Sequence, residues 1–240
     1  NYKVNEWELL NWGIDIKKNL SNFNSNKFEL FYFEDAGIII FKGLKDYLMI
    51  LNGKVGTDGF GNHKHNDLLS FEYHYEDMPI FVDIGSYVYT SSNYKRNYFR
   101  SVKNHNTFSV DNKEPNELKK NYLFRLFERS KPLKNKVRLF KNNCYVLSSH
   151  SGYNSYLNTN KESVNRAFFY NSKKKELSIK DNINLNQFKS VFWNFNCHPN
   201  VKILDYKKGE ILLSIKKYKF LLKYDSCLKV KVKNGFYSPG

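Results

Sequence analysis

The chain has 240 residues, of which 41% are hydrophobic and 17% aromatic, and it carries a formal net charge of +16. This composition excludes a mainly disordered chain and allows one large domain or two small ones. The charge favours a polyanionic partner, such as nucleic acid, anionic lipid or acidic polysaccharide. An AT-rich coding sequence would also raise the lysine content without regard to function, so both explanations of the charge stay open.

Several classes of protein are disfavoured by the sequence. The three cysteines, Cys144, Cys197 and Cys227, are widely spaced and form no CxxC pair, so they offer no disulfide framework. No apolar run approaches the roughly 20 residues of a membrane-spanning helix. No RRM, KH or helix-turn-helix signature is present. We therefore expect neither a membrane span nor a nucleic-acid partner.

An amphipathic helical pattern comes first in the chain, and strand patterns follow it. We expect a helical segment over residues 1–24 and one β domain over residues 25–240. Because the chain starts inside the helical pattern and without an initiator methionine, we expect it to be part of a longer protein. The predicted strands are Phe28–Phe33, Ala36–Phe41, Asp46–Leu51, Leu68–Tyr75, Met78–Asp83, Asn106–Val110, Tyr122–Glu128, Val137–Phe140, Cys144–Ser149, Arg166–Asn171, Glu176–Asn182, Lys189–Asn196, Val201–Tyr206, Glu210–Lys216 and Tyr218–Tyr224. This pattern predicts an all-β fold, a large antiparallel β-sandwich of the super-sandwich type with a short N-terminal helix.

The segment between Ser86 and Lys103 has a different character, because it is rich in tyrosine and arginine. It is too polar for a core strand. Aromatic rings stack on the apolar faces of sugars, and arginine forks bind carboxylates. The segment therefore predicts a sugar-binding surface, and the alternative is a loop packed by its own aromatic side chains.

The segment Gly61–Phe71, with the sequence GNHKHNDLLSF, is the most informative part of the chain. On an extended backbone, His63 and His65 would point to the same side because side chains on a strand repeat every two residues. Asp83 and His105 follow, and three histidines with a carboxylate suffice for a metal site or an acid–base site. The other histidines are interpreted as structural: His74, His150 and His198.

Three motifs around these residues resemble the heparinase II/III-like family of polysaccharide lyases. They are HKHNDLLSF at His63–Phe71, VDIGSYVY at Val82–Tyr89 and RNYFRSVKNHNT at Arg96–Thr107. Later segments are also similar to that family: Asn165–Tyr170, Ile179–Asp181 and Trp193–Pro199. The chain departs from the family pattern at Lys64, where a small residue is usual, and at Ile84, where a proline is usual; neither change removes a candidate ligand.

The resemblance implies an N-terminal α/α toroid that precedes the β-sandwich, with the substrate cleft between the two domains. Enzymes of this family cut acidic polysaccharides by β-elimination, taking the C5 proton of a uronic acid and expelling the O4 leaving group. Their principal tyrosine base lies on the toroid. By position, His65, Asp83 and His105 match the family's zinc ligands, and His63 matches the histidine that reaches the cleft.

From this resemblance we expect Zn²⁺ as the cofactor and a uronic-acid polymer, such as a glycosaminoglycan or alginate, as the substrate. Tyr89 and Arg100 are the next candidates, after His63, for residues that line the catalytic cleft. The expected partners are the polysaccharide and the toroid domain of the same protein, which we expect to be bacterial and periplasmic or secreted. The alternative is a non-catalytic carbohydrate-binding or interaction β-sandwich that keeps the metal site.

Overall fold

A computed structural model describes residues 27–156, 164–184 and 188–238 of the chain. The predicted helical segment over residues 1–24 lies outside these ranges. The described residues contain one α-helix, α1 (Asn93–Arg100), and three 3-10 turns at Thr57–Gly59, Val102–Asn104 and Asn154–Tyr156. Their strands are β1 (Glu29–Phe33), β2 (Ile38–Lys42), β3 (Asp46–Leu51), β4 (Ser70–Tyr75), β5 (Met78–Phe81), β6 (Phe108–Val110), β7 (Pro132–Phe140), β8 (Asn143–His150), β9 (Val164–Asn171), β10 (Glu176–Ile183), β11 (Val191–Trp193), β12 (Lys202–Lys207), β13 (Glu210–Ile215) and β14 (Tyr218–Lys223).

The strands form three larger sheets and one short pair. The largest sheet has five strands in the order β1-β2-β3-β4-β5, and a second has four in the order β10-β9-β8-β7. A third contains β12, β13 and β14, while β6 pairs with β11. Every pairing between these strands is antiparallel. The all-β, antiparallel sandwich predicted from the sequence is confirmed.

The core lies where the three larger sheets present their apolar faces to one another. In β2, Ile39 and Phe41 are buried while their neighbours are only half-buried, which is the period of two expected of a strand with one inward face. Burial of each such side chain contributes about 1.5–3 kcal/mol. The main cluster combines residues from all three sheets, including Ile39, Phe41, Leu48, Ile50, Phe71, Val146, Phe168, Tyr170, Ile211, Leu213 and Ile215.

Two predicted elements differ from the structure. The strand predicted over Tyr122–Glu128 is absent, and in that stretch only Phe127 forms a ladder contact, an isolated bridge with Glu117. The segment between Ser86 and Lys103, for which no helix was predicted, contains α1. This helix begins after Ser92, whose hydroxyl accepts a hydrogen bond from the backbone N–H of Lys95 at 3.3 Å, as an N-cap does.

The histidine segment is a loop of turns before β4, not an extended strand. His63 has a φ of +63° and Leu69 a φ of +59°, so the backbone turns at both residues. The prediction that His63 and His65 point to the same side of a strand is therefore wrong. Among the helices of the described ranges, none is long and apolar enough to cross a membrane.

Candidate functional site

Three residues from separate loops converge on one point of the structure. His65 lies on the loop before β4, Asp83 follows β5, and His105 lies between α1 and β6. Their potential ligand atoms all lie within 4.8 Å of one another. The motif resemblance grouped these three residues, and the fold brings their side chains together. We call them the His65–Asp83–His105 cluster.

Asp83 and His105 form the tightest contact of this cluster. His105 Nδ1 lies 2.5 Å from Asp83 Oδ2, and the other carboxylate oxygen accepts the backbone N–H of Gly85 at 2.8 Å. Burial alone would lower the pKa of His105, but the Asp83 carboxylate outweighs it and raises that pKa above its ordinary value. Burial likewise opposes ionisation of Asp83, but His105 and the Gly85 N–H hold its pKa below the ordinary value.

The second imidazole of the cluster is held neutral. The rings of His65 and His105 lie 5.4 Å apart between centroids. Burial, followed by the proximity of His105, lowers the pKa of His65 to about 3. A neutral imidazole keeps a lone pair for a metal ion, and His105 would release its proton on binding one, because a metal ion competes with the proton for the ligand nitrogen.

The donor set of this cluster fits zinc. Two imidazoles and one carboxylate are ligands that Zn²⁺ takes, with a fourth position left for water or another side chain. Within the described part of the chain, the Nε2 atom of His105 is buried and has no hydrogen-bond partner. Such an orphaned nitrogen costs free energy unless a ligand satisfies it.

The side chains of Asn106 and Thr107 fix the loop that carries His105. The Asn106 amide donates to the carbonyls of Phe71 at 2.8 Å and Val82 at 3.0 Å, so it joins the ends of two segments that flank the cluster. The Thr107 hydroxyl donates to the carbonyl of Leu68 at 2.8 Å. All of these hydrogen bonds are buried, where water does not compete for the donors and acceptors, so they hold His105 beside Asp83.

Asn66 plays the same part for the loop that carries His65. Its fully buried amide donates to Glu114 Oε2 at 2.7 Å and to the carbonyl of Asn116 at 2.8 Å, and its oxygen accepts the N–H of Asn116. Sequence reasoning did not single out Asn66 or Asn106 as positioning residues. The available signal was that each directly follows a candidate histidine ligand.

His63 and Tyr89 lie against each other. Their ring centroids are 5.6 Å apart, and Phe124 contacts both rings, at 5.4 Å from His63 and 5.9 Å from Tyr89. His63 is exposed and Tyr89 is 56% exposed. Both side chains are therefore available to a ligand.

Arg100 has a different environment from the one expected of a residue that lines a cleft. Its side chain is buried, and its guanidinium donates at 2.7 Å to the carbonyls of Leu123 and Arg125. A weaker bond reaches the carbonyl of Lys64 at 3.4 Å. Arg100 thus ties α1 to the 122–125 segment and to the histidine loop, because its donors are already used by backbone carbonyls.

A sequence comparison identifies the family of the chain. The model of the family described as "Heparinase II/III-like, C-terminal" matches residues 26–240. The chain belongs to this family. No curated protein sequence matches it.

Solved structures show the same fold for this heparinase II/III-like domain. A heparinase III superposes with a TM-score of 0.54 and 20% identity, covering 77% of this chain and 28% of its own. The heparan sulfate lyase HepC from Pedobacter heparinus gives a TM-score of 0.59 at 15% identity, over 87% of this chain and 32% of its own. A heparinase III with methylated lysines gives a TM-score of 0.59 at 18% identity, over 91% of this chain and 38% of its own. The chain thus spans about a third of the length of these proteins.

Proposed function

We propose that this chain is the C-terminal β-sandwich domain of a polysaccharide lyase that cleaves a uronic-acid-containing acidic polysaccharide by β-elimination. The observation that carries the proposal is the convergence of His65, Asp83 and His105, from three loops, in a chain that belongs to the heparinase II/III-like family. The net charge of +16 is positive, and a positive charge attracts an acidic polymer.

In this proposal, zinc is structural. His65, Asp83 and His105 would hold the ion, which supplies a cross-link between three loops and no proton transfer of its own. The histidine loop would then be fixed at a point close in sequence to His63. A structural site of this kind adds stability to the folded state because the metal binds only where the ligands are assembled.

His63 is the residue of this domain proposed to take part in the reaction. An exposed imidazole can neutralise a uronate carboxylate or move a proton near neutral pH. β-Elimination builds negative charge on the uronate as the C5 proton leaves, and nearby donors lower the barrier by stabilising that charge. Tyr89, which contacts His63, is proposed to border the same cleft.

The remaining catalytic groups are proposed to lie on an N-terminal α/α toroid of the same protein. The solved heparinases are about three times as long as the region they share with this chain, which leaves room for such a domain. If the tyrosine base lies there, the 240-residue chain alone has no lyase turnover.

The test compares the 240-residue chain with the full-length protein on a panel of acidic polysaccharides, following the ultraviolet absorbance of the unsaturated uronate product. We expect turnover by the full-length protein and none by the chain alone. Turnover by the chain alone would place the base among its own residues. Binding without cleavage by the full-length protein would instead favour the carbohydrate-binding alternative.

A further inference from the structure

Arg96 is a buried cation that meets no anionic side chain among the residues that the structure describes. Its residue is 0% exposed, and within the described ranges neither Nη1 nor Nη2 has a hydrogen-bond partner. Within those ranges the one hydrogen bond of its side chain is a long one, from Nε to the carbonyl of Leu123 at 3.5 Å. Arg166, which is equally buried, shows the usual arrangement, because its guanidinium meets the Asp181 carboxylate at 2.7 Å and 2.9 Å.

An unpaired guanidinium costs free energy when it is buried. An anionic ligand at Arg96 would offset this cost. Burying a charge without a partner costs several kcal/mol per ion. A planar fork with two free nitrogens matches the paired oxygens of a carboxylate, and it binds tetrahedral oxyanions in the same bidentate way.

The surroundings of Arg96 are those of a sugar site. The guanidinium lies over the rings of Tyr89, at 5.2 Å, and Phe124, at 5.6 Å. His63 contacts the same two rings. These four side chains, which we call the Arg96 cluster, combine a cationic fork with aromatic faces and an exposed imidazole.

We propose that Arg96 binds the carboxylate of a uronic acid residue, with the rings of the Arg96 cluster packed against the sugar. The inference rests on the proposed function for its choice of a uronate over other carboxylates. Tyr89 covers the guanidinium but is itself 56% exposed, so outward rotation of its ring opens the fork to the ligand. Arg100, four residues along α1, cannot serve because carbonyl groups already occupy its donors.

The experiment is an NMR titration of the 240-residue chain with D-glucuronate at constant ionic strength. The Arg96 Nε–Hε and His63 imidazole resonances report on the site directly. Glucose tests whether the carboxylate is required, and glucose 6-sulfate tests whether another anion replaces it. We expect saturable shifts with glucuronate and weak shifts with glucose. Glucose 6-sulfate should bind more weakly than glucuronate because its terminal oxygens lie two bonds farther from the sugar ring, so the fork and the aromatic faces cannot both be engaged as closely.

Two variants and a control complete the test. Arg96→Gln should weaken glucuronate binding by about tenfold to a hundredfold, the effect of losing a charge-assisted hydrogen bond. Arg96→Lys keeps the charge but loses the fork, and should weaken it by a smaller factor. Arg138→Gln, on the exposed edge of β7, removes the same charge far from α1 and should leave binding unchanged.

The proposal is overturned if wild-type resonances of Arg96 and His63 do not shift with glucuronate, or if the shifts persist in Arg96→Gln. Equal binding of glucose 6-sulfate overturns the carboxylate assignment. If Arg96→Gln does not fold, Arg96→Lys and the wild-type titration still decide the question. Because binding is measured without turnover, loss of the proposed lyase activity would leave this result intact, and the reverse also holds.

Discussion

Arg166 on β9 and Asp181 on β10 form a bidentate ion pair that also supports the candidate site. Arg166 Nη1 donates to the carbonyls of Leu69 and Asn106, both at 3.0 Å, and the Trp193 indole donates to Asp181 at 2.8 Å. Leu69 lies on the loop that carries His65, and Asn106 directly follows His105. One buried guanidinium therefore connects the four-stranded sheet to two of the three loops that carry candidate ligands.

We expect Asp181→Asn to lower the free energy of unfolding by about 3–5 kcal/mol, because it leaves the Arg166 charge buried and unpaired. Equilibrium unfolding in urea, followed by tryptophan fluorescence, measures this change. The matched control is Glu117→Gln, which breaks a pair with Arg129 whose side chains are 35% and 40% exposed, and it should cost less than about 1 kcal/mol. Equal costs in the two variants would contradict a structural role for the buried pair.

We expect the stability of the domain to depend on pH because of His150. Its buried Nδ1 accepts the backbone N–H of Gly152 at 2.9 Å, and burial, followed by the charge of Arg166, lowers its pKa to about 3. Below pH 6.5 the unfolded chain takes up a proton at this residue that the folded chain does not. Its contribution to stability is therefore complete above pH 6.5 and is lost as the pH falls toward about 3.

The test is His150→Asn, which keeps an acceptor for Gly152 but cannot be protonated. Across this range the wild type should lose about 1.4 kcal/mol of unfolding free energy per pH unit more than the variant. Urea unfolding at several pH values measures the two slopes. Parallel slopes would show that His150 is protonated in the folded state, contrary to its depressed pKa.

The strand pattern was predictable because it is local. Ile39 and Phe41 alternate with less buried neighbours, and that alternation is visible in the sequence. The cluster of His65, Asp83 and His105 is not local, since its assembly depends on contacts such as the one between Asn106 and the Val82 carbonyl. The motif resemblance, not the spacing, grouped these three residues before the fold was known.

Helix α1 could not be predicted from the sequence. Its eight residues carry three tyrosine and phenylalanine rings, which suit strands and loops as well as helices, so no helix was predicted there. The N-cap role of Ser92 is seen only in the structure. Arg96 and Arg100 lie four residues apart on its buried face, and no sequence feature distinguishes them. The structure distinguishes them. The carbonyls of Leu123 and Arg125 accept hydrogen bonds from Arg100, whereas the Nη atoms of Arg96 have no partner among the described residues.

The metal prediction concerns His105. Protein purified without chelators should contain about one zinc ion per chain by elemental analysis, and His105→Ala should lose it together with roughly 5–10 °C of melting temperature. The control is His198→Ala, which removes a histidine outside the cluster, next to Tyr237, and should keep the metal. A metal-free wild type with the same melting temperature before and after addition of zinc would refute the site.

The last prediction separates His63 from His65, which the structure places in different surroundings: His63 beside Tyr89, and His65 beside His105. In the full-length protein, His63→Ala should keep zinc and stability but lower kcat by about 10²–10⁴-fold, the usual effect of removing a proton-transfer group. His65→Ala should lose zinc and melt at a lower temperature. Zinc content, melting temperature and kcat are measured on both variants. Equal zinc loss in the two would make His63 a ligand and remove its catalytic assignment.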